Sequence, residues 1–149
     1  MTHSIRIARA VLEDARQNLF RPHPFAPERI AFLWGRSSPK SQGNSLILLN
    51  DFTPVEDEHY VEDDSVGARI DATTIREALA RVLETGECCF HFHIHTHKGT
   101  PRLSRTDADE LTRLVPTFAS AAPEARHGAL IGSLDAANAW VWSRESNRL

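Results

Sequence analysis

The sequence has few of the residues that stabilise secreted proteins or cross membranes. Its only two cysteines, Cys88 and Cys89, are adjacent, which fits two buried thiols in a reducing compartment better than a disulfide framework. No apolar run approaches the roughly 20 residues of a membrane span, and residues 1–6 lack the apolar core of a secretory signal. We therefore expect a cytoplasmic protein with no membrane partner.

An excess of basic charge is also missing. The formal net charge is -3 at pH 7 and the isoelectric point is about 6.2, so there is no broad positive field to attract a phosphate backbone. Nucleic acid is therefore not a favoured partner. Lysine occurs only at Lys40 and Lys98, and this preference for arginine suggests a GC-rich bacterial source.

The length and the hydrophobic pattern predict one mixed domain. A chain of 149 residues with 41% hydrophobic content can build one ordinary core, so we expect a single domain over residues 1–149. Alternating or apolar runs predict strands near residues 4–8, 28–35, 45–50, 88–97, 128–133 and 139–143. Helical spacing predicts helices near residues 11–19, 72–85 and 104–115, the last ending where Pro116 intervenes. This order predicts an α+β (α/β sandwich) fold with a mixed, mostly antiparallel sheet flanked by helices.

Half of the eight histidines form a ladder at the alternate positions His91, His93, His95 and His97. Residues two apart on a strand point to the same side, so a strand here would place the four imidazoles on one face. Two such histidines near a strand end, with a carboxylate from the next element, provide the donors that usually hold catalytic zinc. Asp107 is the candidate carboxylate.

The remaining groups of a hydrolase are also present. Glu28 opens a predicted strand that can lie beside the histidine strand, where its carboxylate could move a proton between water and a leaving amine. Ser104 offers a hydroxyl near the metal to stabilise an oxyanion. The acidic run at residues 55–64 is expected to be a solvated loop; the alternative is a loop that faces a basic substrate.

These separated segments resemble one known family. Residues 28–35 are similar to the Glu-x-x-Gly-x-Leu-x-Gly strand of the JAB/MPN (JAMM) metalloproteases, and His95-Thr-His97 with Ser104-x-x-Asp107 resembles their His-Ser/Thr-His and Ser-x-x-Asp signature. The resemblance implies a JAB/MPN (cytidine-deaminase-like) architecture and one Zn²⁺ per chain. It implies His95, His97 and Asp107 as ligands, Glu28 as general acid/base and Ser104 as oxyanion stabiliser.

The resemblance also implies a substrate. Family members with all five residues are typically peptidases or isopeptidases that cleave after the C-terminal glycine of ubiquitin or a ubiquitin-like protein. Bacterial single-domain members often accompany genes for E1- and E2-like conjugation proteins or sulfur carriers, some in antiphage systems. Two alternatives remain open: removal of an amino acid such as cysteine from a sulfur-carrier protein or small conjugate, and a non-catalytic zinc module that binds a ubiquitin-like partner.

The sequence departs from the family pattern in ways that leave the histidine register open. Ala31 replaces a glycine, Lys98 replaces a proline, and the loop from His97 to Ser104 is one residue shorter than the commonest form. Pairing His93 with His95 would make that loop one residue too long instead. We prefer His95 and His97 because Thr96 matches the central Ser/Thr, and expect His91 and His93 to support the ligands. Ser104-x-x-Asp107 is also a helix-capping pattern.

Overall fold

The computed structural model describes residues 2–39 and 44–149, which form a six-stranded sheet with helices on both faces. The strands lie in the order β1-β3-β2-β4-β5-β6. Two of the five strand pairs, β1 with β3 and β4 with β5, are parallel, and the other three are antiparallel. The chain order is β1 (His3–Ile7), α1 (Arg9–Leu19), β2 (Ala31–Pro39), β3 (Ser45–Pro54), α2 (Ala72–Thr85), β4 (Cys88–Ile94), α3 (Arg105–Ala121), β5 (Gly128–Gly132) and β6 (Ala137–Val141).

This arrangement confirms the predicted α+β class with a mixed, mostly antiparallel sheet. The strand 28–35 begins later than predicted, at Ala31, and both β2 and β3 run further than the sequence pattern indicates. The turn predicted between them includes residues 40–43, which lie outside the described residues. The closing hairpin of β5 and β6 is present as predicted. No helix of residues 2–39 and 44–149 is long and apolar enough to cross a membrane.

The alternation of β2 and β4 divides the core into two layers. Phe90 and Phe92 of β4 pack with Ala15 and Leu19 of α1 on one face of the sheet. Cys89, on the opposite face, joins a cluster with residues of α2 and α3. All seven residues of β4 are buried, so its histidines lie inside the protein rather than on an open surface. His91 and His93 share the side of Cys89, which is the side that α2 and α3 cover.

One glycine permits the close packing of the central strands. A β-bulge separates Trp34 from Gly35 in the pairing of β2 with β3. A Cβ atom at Gly35 would lie 1.8 Å from the carbonyl oxygen of Leu48, so no larger residue fits without moving backbone. The central sheet that carries the histidines therefore depends on glycine here.

Helices α2 and α3 begin as their capping residues predict, but α3 ends later than expected. The Asp71 side chain accepts a hydrogen bond from the Thr74 amide at the start of α2. The prediction that α3 stops near residue 115 was wrong, because the helix continues through Pro116 to Ala121. Phe118, on the last turns, is fully buried, and this packing stabilises the helix beyond a residue that lacks a backbone donor.

Candidate metal centre

Glu28 lies just before β2, where the sheet register brings it towards the end of the histidine strand. Ala31 pairs with Phe92 in the antiparallel β2 and β4 strands, and continuing this register backwards places Glu28 opposite His95. The Glu28 amide donates to the Gly67 carbonyl at 2.9 Å. Glu28 Oε1 lies 3.9 Å from His95 Nε2. A backbone bond and a neighbouring loop thus hold the carboxylate beside the imidazole.

The Glu28 carboxylate also packs directly on Gly67. A Cβ atom at Gly67 would lie 2.5 Å from Glu28 Oε2 and 2.6 Å from its Cδ. The carboxylate therefore occupies the space that a larger residue would fill. The loop before α2 limits where the Glu28 side chain can point.

His93 and His95 direct their Nε2 atoms at one another. The two atoms are 3.1 Å apart, and the ring centroids are 5.0 Å apart. His93 is on β4, and the His95 amide donates to the Gly132 carbonyl of β5 at 2.8 Å, so the strand pairing extends one residue past Ile94. The alternation that starts on the strand therefore still holds at His95.

Asp107 brings a carboxylate to both histidines from the first turn of α3. Its Oδ1 lies 3.3 Å from His93 Nε2 and its Oδ2 lies 3.5 Å from His95 Nε2. Partial burial raises the pKa of Asp107, but hydrogen bonds with His93 and Ser104 outweigh that effect and hold the pKa well below its usual range. The carboxylate is therefore anionic at neutral pH.

These side chains can hold a metal ion. Glu28, His93 and His95 each offer one ligand atom, and the three atoms lie within 4.8 Å of one another. Asp107 adds an oxygen on the same side through its two histidine contacts. Two imidazole nitrogens 3.1 Å apart cannot both carry a proton towards each other, and a cation would satisfy both lone pairs. The other ring nitrogen of His93, Nδ1, is buried and has no hydrogen-bond partner among the described residues. Metal-binding histidines often donate this second N–H to an acceptor that orients the ring, and His93 has no such acceptor here.

An open cleft of about 490 Å³ gives access to the group. The loop before α2 forms one wall and the start of α3 forms another. Asp64 and Ser65, at the end of the acidic segment, line this cleft. The segment itself contains a short 3-10 helix, Asp57–His59, and two of its carboxylates are paired, Asp57 with Arg29 and Asp63 with Arg69.

His97 lies at the edge of the group: its ring centroid is 5.6 Å from that of His95, but its ligand atoms are not among those that converge with Glu28. Its side chain is exposed, and its Nδ1 lies 2.9 Å from the Lys98 carbonyl oxygen. The chain bends over residues 96–100, and the Leu134 amide donates to the His97 carbonyl, so the backbone here contacts the β5–β6 turn instead of continuing a strand. Of the predicted ligands, His95 and Asp107 meet near Glu28, and His93, which was expected to support the ligands, lies with them. In the sequence, the length of the loop to Ser104 was the feature that left His93 as an alternative ligand to His97.

Ser104 forms the capping box that its spacing also predicted. Its Oγ accepts from the Asp107 amide at 3.0 Å and donates to Asp107 Oδ2 at 2.5 Å. The Ser104 amide donates to the same carboxylate oxygen at 3.0 Å. The hydroxyl lines the cleft, but in this state it is engaged with Asp107. The cap thereby orients the Asp107 carboxylate.

His91 lies one step further into the core. Burial, then the neighbouring His93, lower its pKa to about 3, so the ring is neutral at physiological pH. It contacts Phe32 and His93 edge to face, with ring centroids 6.1 and 5.4 Å apart. His91 is thus packed against its neighbours, and a role in supporting a metal ligand stays a prediction.

Comparison with known proteins identifies no family. No family model matches the chain, and no curated protein matches it either. Among solved structures, the N-terminal domain of STIL from Trichoplax adhaerens aligns with 93% of this chain at 12% sequence identity and a TM-score of 0.43. The chain spans 40% of that protein chain's length.

Proposed function

We propose that this protein is a zinc-dependent peptidase or isopeptidase. The observation that carries the proposal is the convergence of Glu28, His93, His95 and Asp107 from three separate parts of the chain at one open cleft. His93 is buried and His95 is half-buried, and two imidazole nitrogens that face each other in this way beside two carboxylates are costly for a protein to maintain without a cation. The combination therefore favours a metal centre over a structural polar cluster.

His93, His95 and Asp107 would hold the ion. Two imidazole nitrogens and one carboxylate oxygen are the donors usual for catalytic zinc, which keeps one position open. When bound, zinc supplies Lewis-acid activation of a water molecule. His97 is left out of this ligand set, because its side chain is exposed and its Nδ1 faces the Lys98 carbonyl oxygen.

Glu28 is the proton carrier in this proposal. It is left over when the three ligands are assigned, and its carboxylate stands 3.9 Å from His95 Nε2 at the cleft. Its carboxylate takes a proton from the attacking water and returns it to the leaving amine. The Ser104 hydroxyl can donate to the oxyanion of the tetrahedral intermediate only after it releases Asp107 Oδ2, because that oxygen now accepts its hydrogen bond.

The substrate class rests on the resemblance to the JAB/MPN family. The similarity of residues 28–35 and of Ser104 and Asp107 to family motifs supports a JAB/MPN architecture for the α+β fold and a ubiquitin-like protein or its conjugate as substrate. With His93 and His95 as ligands, the chain differs from the family pattern at one more position, because Ile94 stands where the family has a serine or threonine between the two histidines. Cytoplasmic location, and E1- and E2-like partners, stay predictions.

Cleavage of a ubiquitin-like fusion tests the proposal. The substrate carries a reporter joined to the C-terminal glycine, and release is followed with zinc, with a chelator, and with Glu28→Gln. We expect the chelator to abolish cleavage and Glu28→Gln to slow it by about 100-fold or more. Glu84→Gln, which removes an exposed carboxylate far from the cleft in sequence, should cleave normally.

Two outcomes would contradict the proposal. Full activity in Glu28→Gln would show that Glu28 does not carry the proton, and full activity after chelation would show that cleavage does not need the metal. Zinc bound at one per chain without turnover of any fusion or peptide would favour a binding module instead. A substrate panel that includes cysteine conjugates distinguishes a protein-processing enzyme from one that removes a single amino acid.

A further inference from the structure

A second cavity opens beside the cleft and has a different lining. It encloses about 370 Å³ between the loop before α2, α2 itself and α3. Ile70, Ile75 and Leu114 supply apolar walls, and Thr117 stands at the exposed edge. A volume of this size fits one leucine-sized to phenylalanine-sized side chain and leaves room for water.

The cavity borders the candidate metal cleft. The two spaces have five lining residues in common, so a ligand in the cleft lies next to the cavity. The shared residues are Ile30, Ala68, His91, Glu110 and Leu111.

The residue spacing along helix α3 gives the distance between the candidate metal centre and the cavity. Asp107, Leu111 and Leu114 lie along one side of the helix, and a rise of about 1.5 Å per residue places Leu111 about 6 Å and Leu114 about 10 Å beyond Asp107. An extended peptide advances about 3.4 Å per residue. The cavity therefore lies two or three peptide residues from a bond positioned at Asp107.

We propose that this cavity binds an apolar side chain of the substrate, carried two or three residues from the scissile bond. The inference rests on the proposed hydrolase function and assigns that site a preference. Transfer of a leucine side chain from water into apolar walls favours binding, whereas a serine at the same position gains little. The cavity thus selects among peptides that present the same small residues at the scissile bond.

Two threonines of α3 provide a matched pair of variants. Thr117 and Thr112 are both exposed, and each hydroxyl donates to a helix carbonyl, of Leu114 and of Ala108 respectively. Only Thr117 lines the cavity. Thr117→Trp should fill it, and Thr112→Trp adds the same side chain to the same helix outside it. Thermal unfolding of both variants checks that each is folded.

Quenched peptides with glycine at the scissile bond, and leucine or serine at the second or third position on either side, measure the preference. In the wild type and in Thr112→Trp, leucine at the favoured position should raise kcat/KM by about tenfold or more over serine. In folded Thr117→Trp the ratio should fall towards one. A ratio near one in the wild type, or an unchanged ratio in Thr117→Trp, would overturn the inference.

Binding without turnover separates this inference from the proposed function. Fluorescein-labelled versions of the same peptides are titrated with Glu28→Gln, with and without zinc, and followed by anisotropy. A leucine peptide that binds about tenfold tighter than its serine counterpart, and loses this advantage when Thr117→Trp is added, supports the cavity even if the wild type cleaves no peptide. Cleavage without any leucine preference would support the hydrolase and reject the cavity.

Discussion

The Nε2 atoms of His93 and His95 lie 3.1 Å apart, and each also lies within 3.5 Å of an oxygen of Asp107. One histidine belongs to the central strand β4 and the other is the first residue beyond it. The helix that follows begins with a cap that fixes the carboxylate opposite both rings. The candidate ligands are therefore positioned by the end of strand β4 and by the capped first turn of helix α3.

The contact between Gly67 and Glu28 predicts an activity defect without loss of the fold. In Gly67→Ala the new methyl would lie 2.5 Å from Glu28 Oε2, and the end of this side chain can move aside at small cost. We expect kcat to fall by about tenfold or more, since misplacement of a reacting group by about 1 Å is sufficient for a large loss. Zinc content and the melting temperature should stay close to those of the wild type.

Gly86→Ala is the contrasting control. Gly86 ends α2 with a φ of 66°, and nothing lies within 4 Å of a Cβ atom there. The variant should lose about 1 kcal/mol of stability because of the left-handed backbone, and it should keep its kcat. Equal losses of activity in the two variants would show that Gly67→Ala acts through stability rather than through Glu28.

The ion pair of His59 with Asp71 predicts a dependence of stability on pH. The hydrogen bond to Asp71, then the charges of Asp71, Glu58 and Glu77, raise the pKa of His59 against a smaller opposing effect of burial. The pKa of Asp71 is lowered, first by the Thr74 amide and then by His59. Because the folded-state pKa of His59 is raised, its contribution is complete below its unfolded pKa of about 6.5 and is lost as the pH rises through the folded value.

Asp71→Asn isolates this effect, because asparagine also caps a helix but carries no charge. The stability advantage of the wild type over Asp71→Asn should be larger at about pH 5.5 to 6 than at about pH 8.5, as measured by urea unfolding. The advantage should fall again in acid, as the pH drops through the lowered pKa of Asp71. An advantage that grows from pH 6 to pH 8.5 would contradict the pairing.

Local patterns predicted the α+β class, the three helices and a strand after Glu28 that lies beside the histidine strand; the register that places Glu28 beside His95 comes from the structure. They favoured His97 as the partner of His95, whereas the structure brings His93 to His95, and the alternation of a strand alone satisfies both choices. The outcome depends on contacts far apart in sequence: the Leu134 amide binds the His97 carbonyl and the Gly99 amide binds the Asp135 carboxylate. These contacts turn the chain away from the strand after His95. The length of α3 past Pro116 likewise depends on the burial of Phe118 against the sheet.

Zinc binding by matched histidine variants tests the central claim most directly. His93→Ala and His97→Ala each remove one imidazole from the ladder, and circular dichroism verifies that both are folded. We predict that wild type and His97→Ala bind one zinc per chain with similar affinity, whereas His93→Ala binds more than about 100-fold more weakly, since loss of a group that only supports a ligand already costs about 10- to 100-fold. Retention of zinc by His93→Ala together with its loss in His97→Ala would contradict the ligand set of His93, His95 and Asp107.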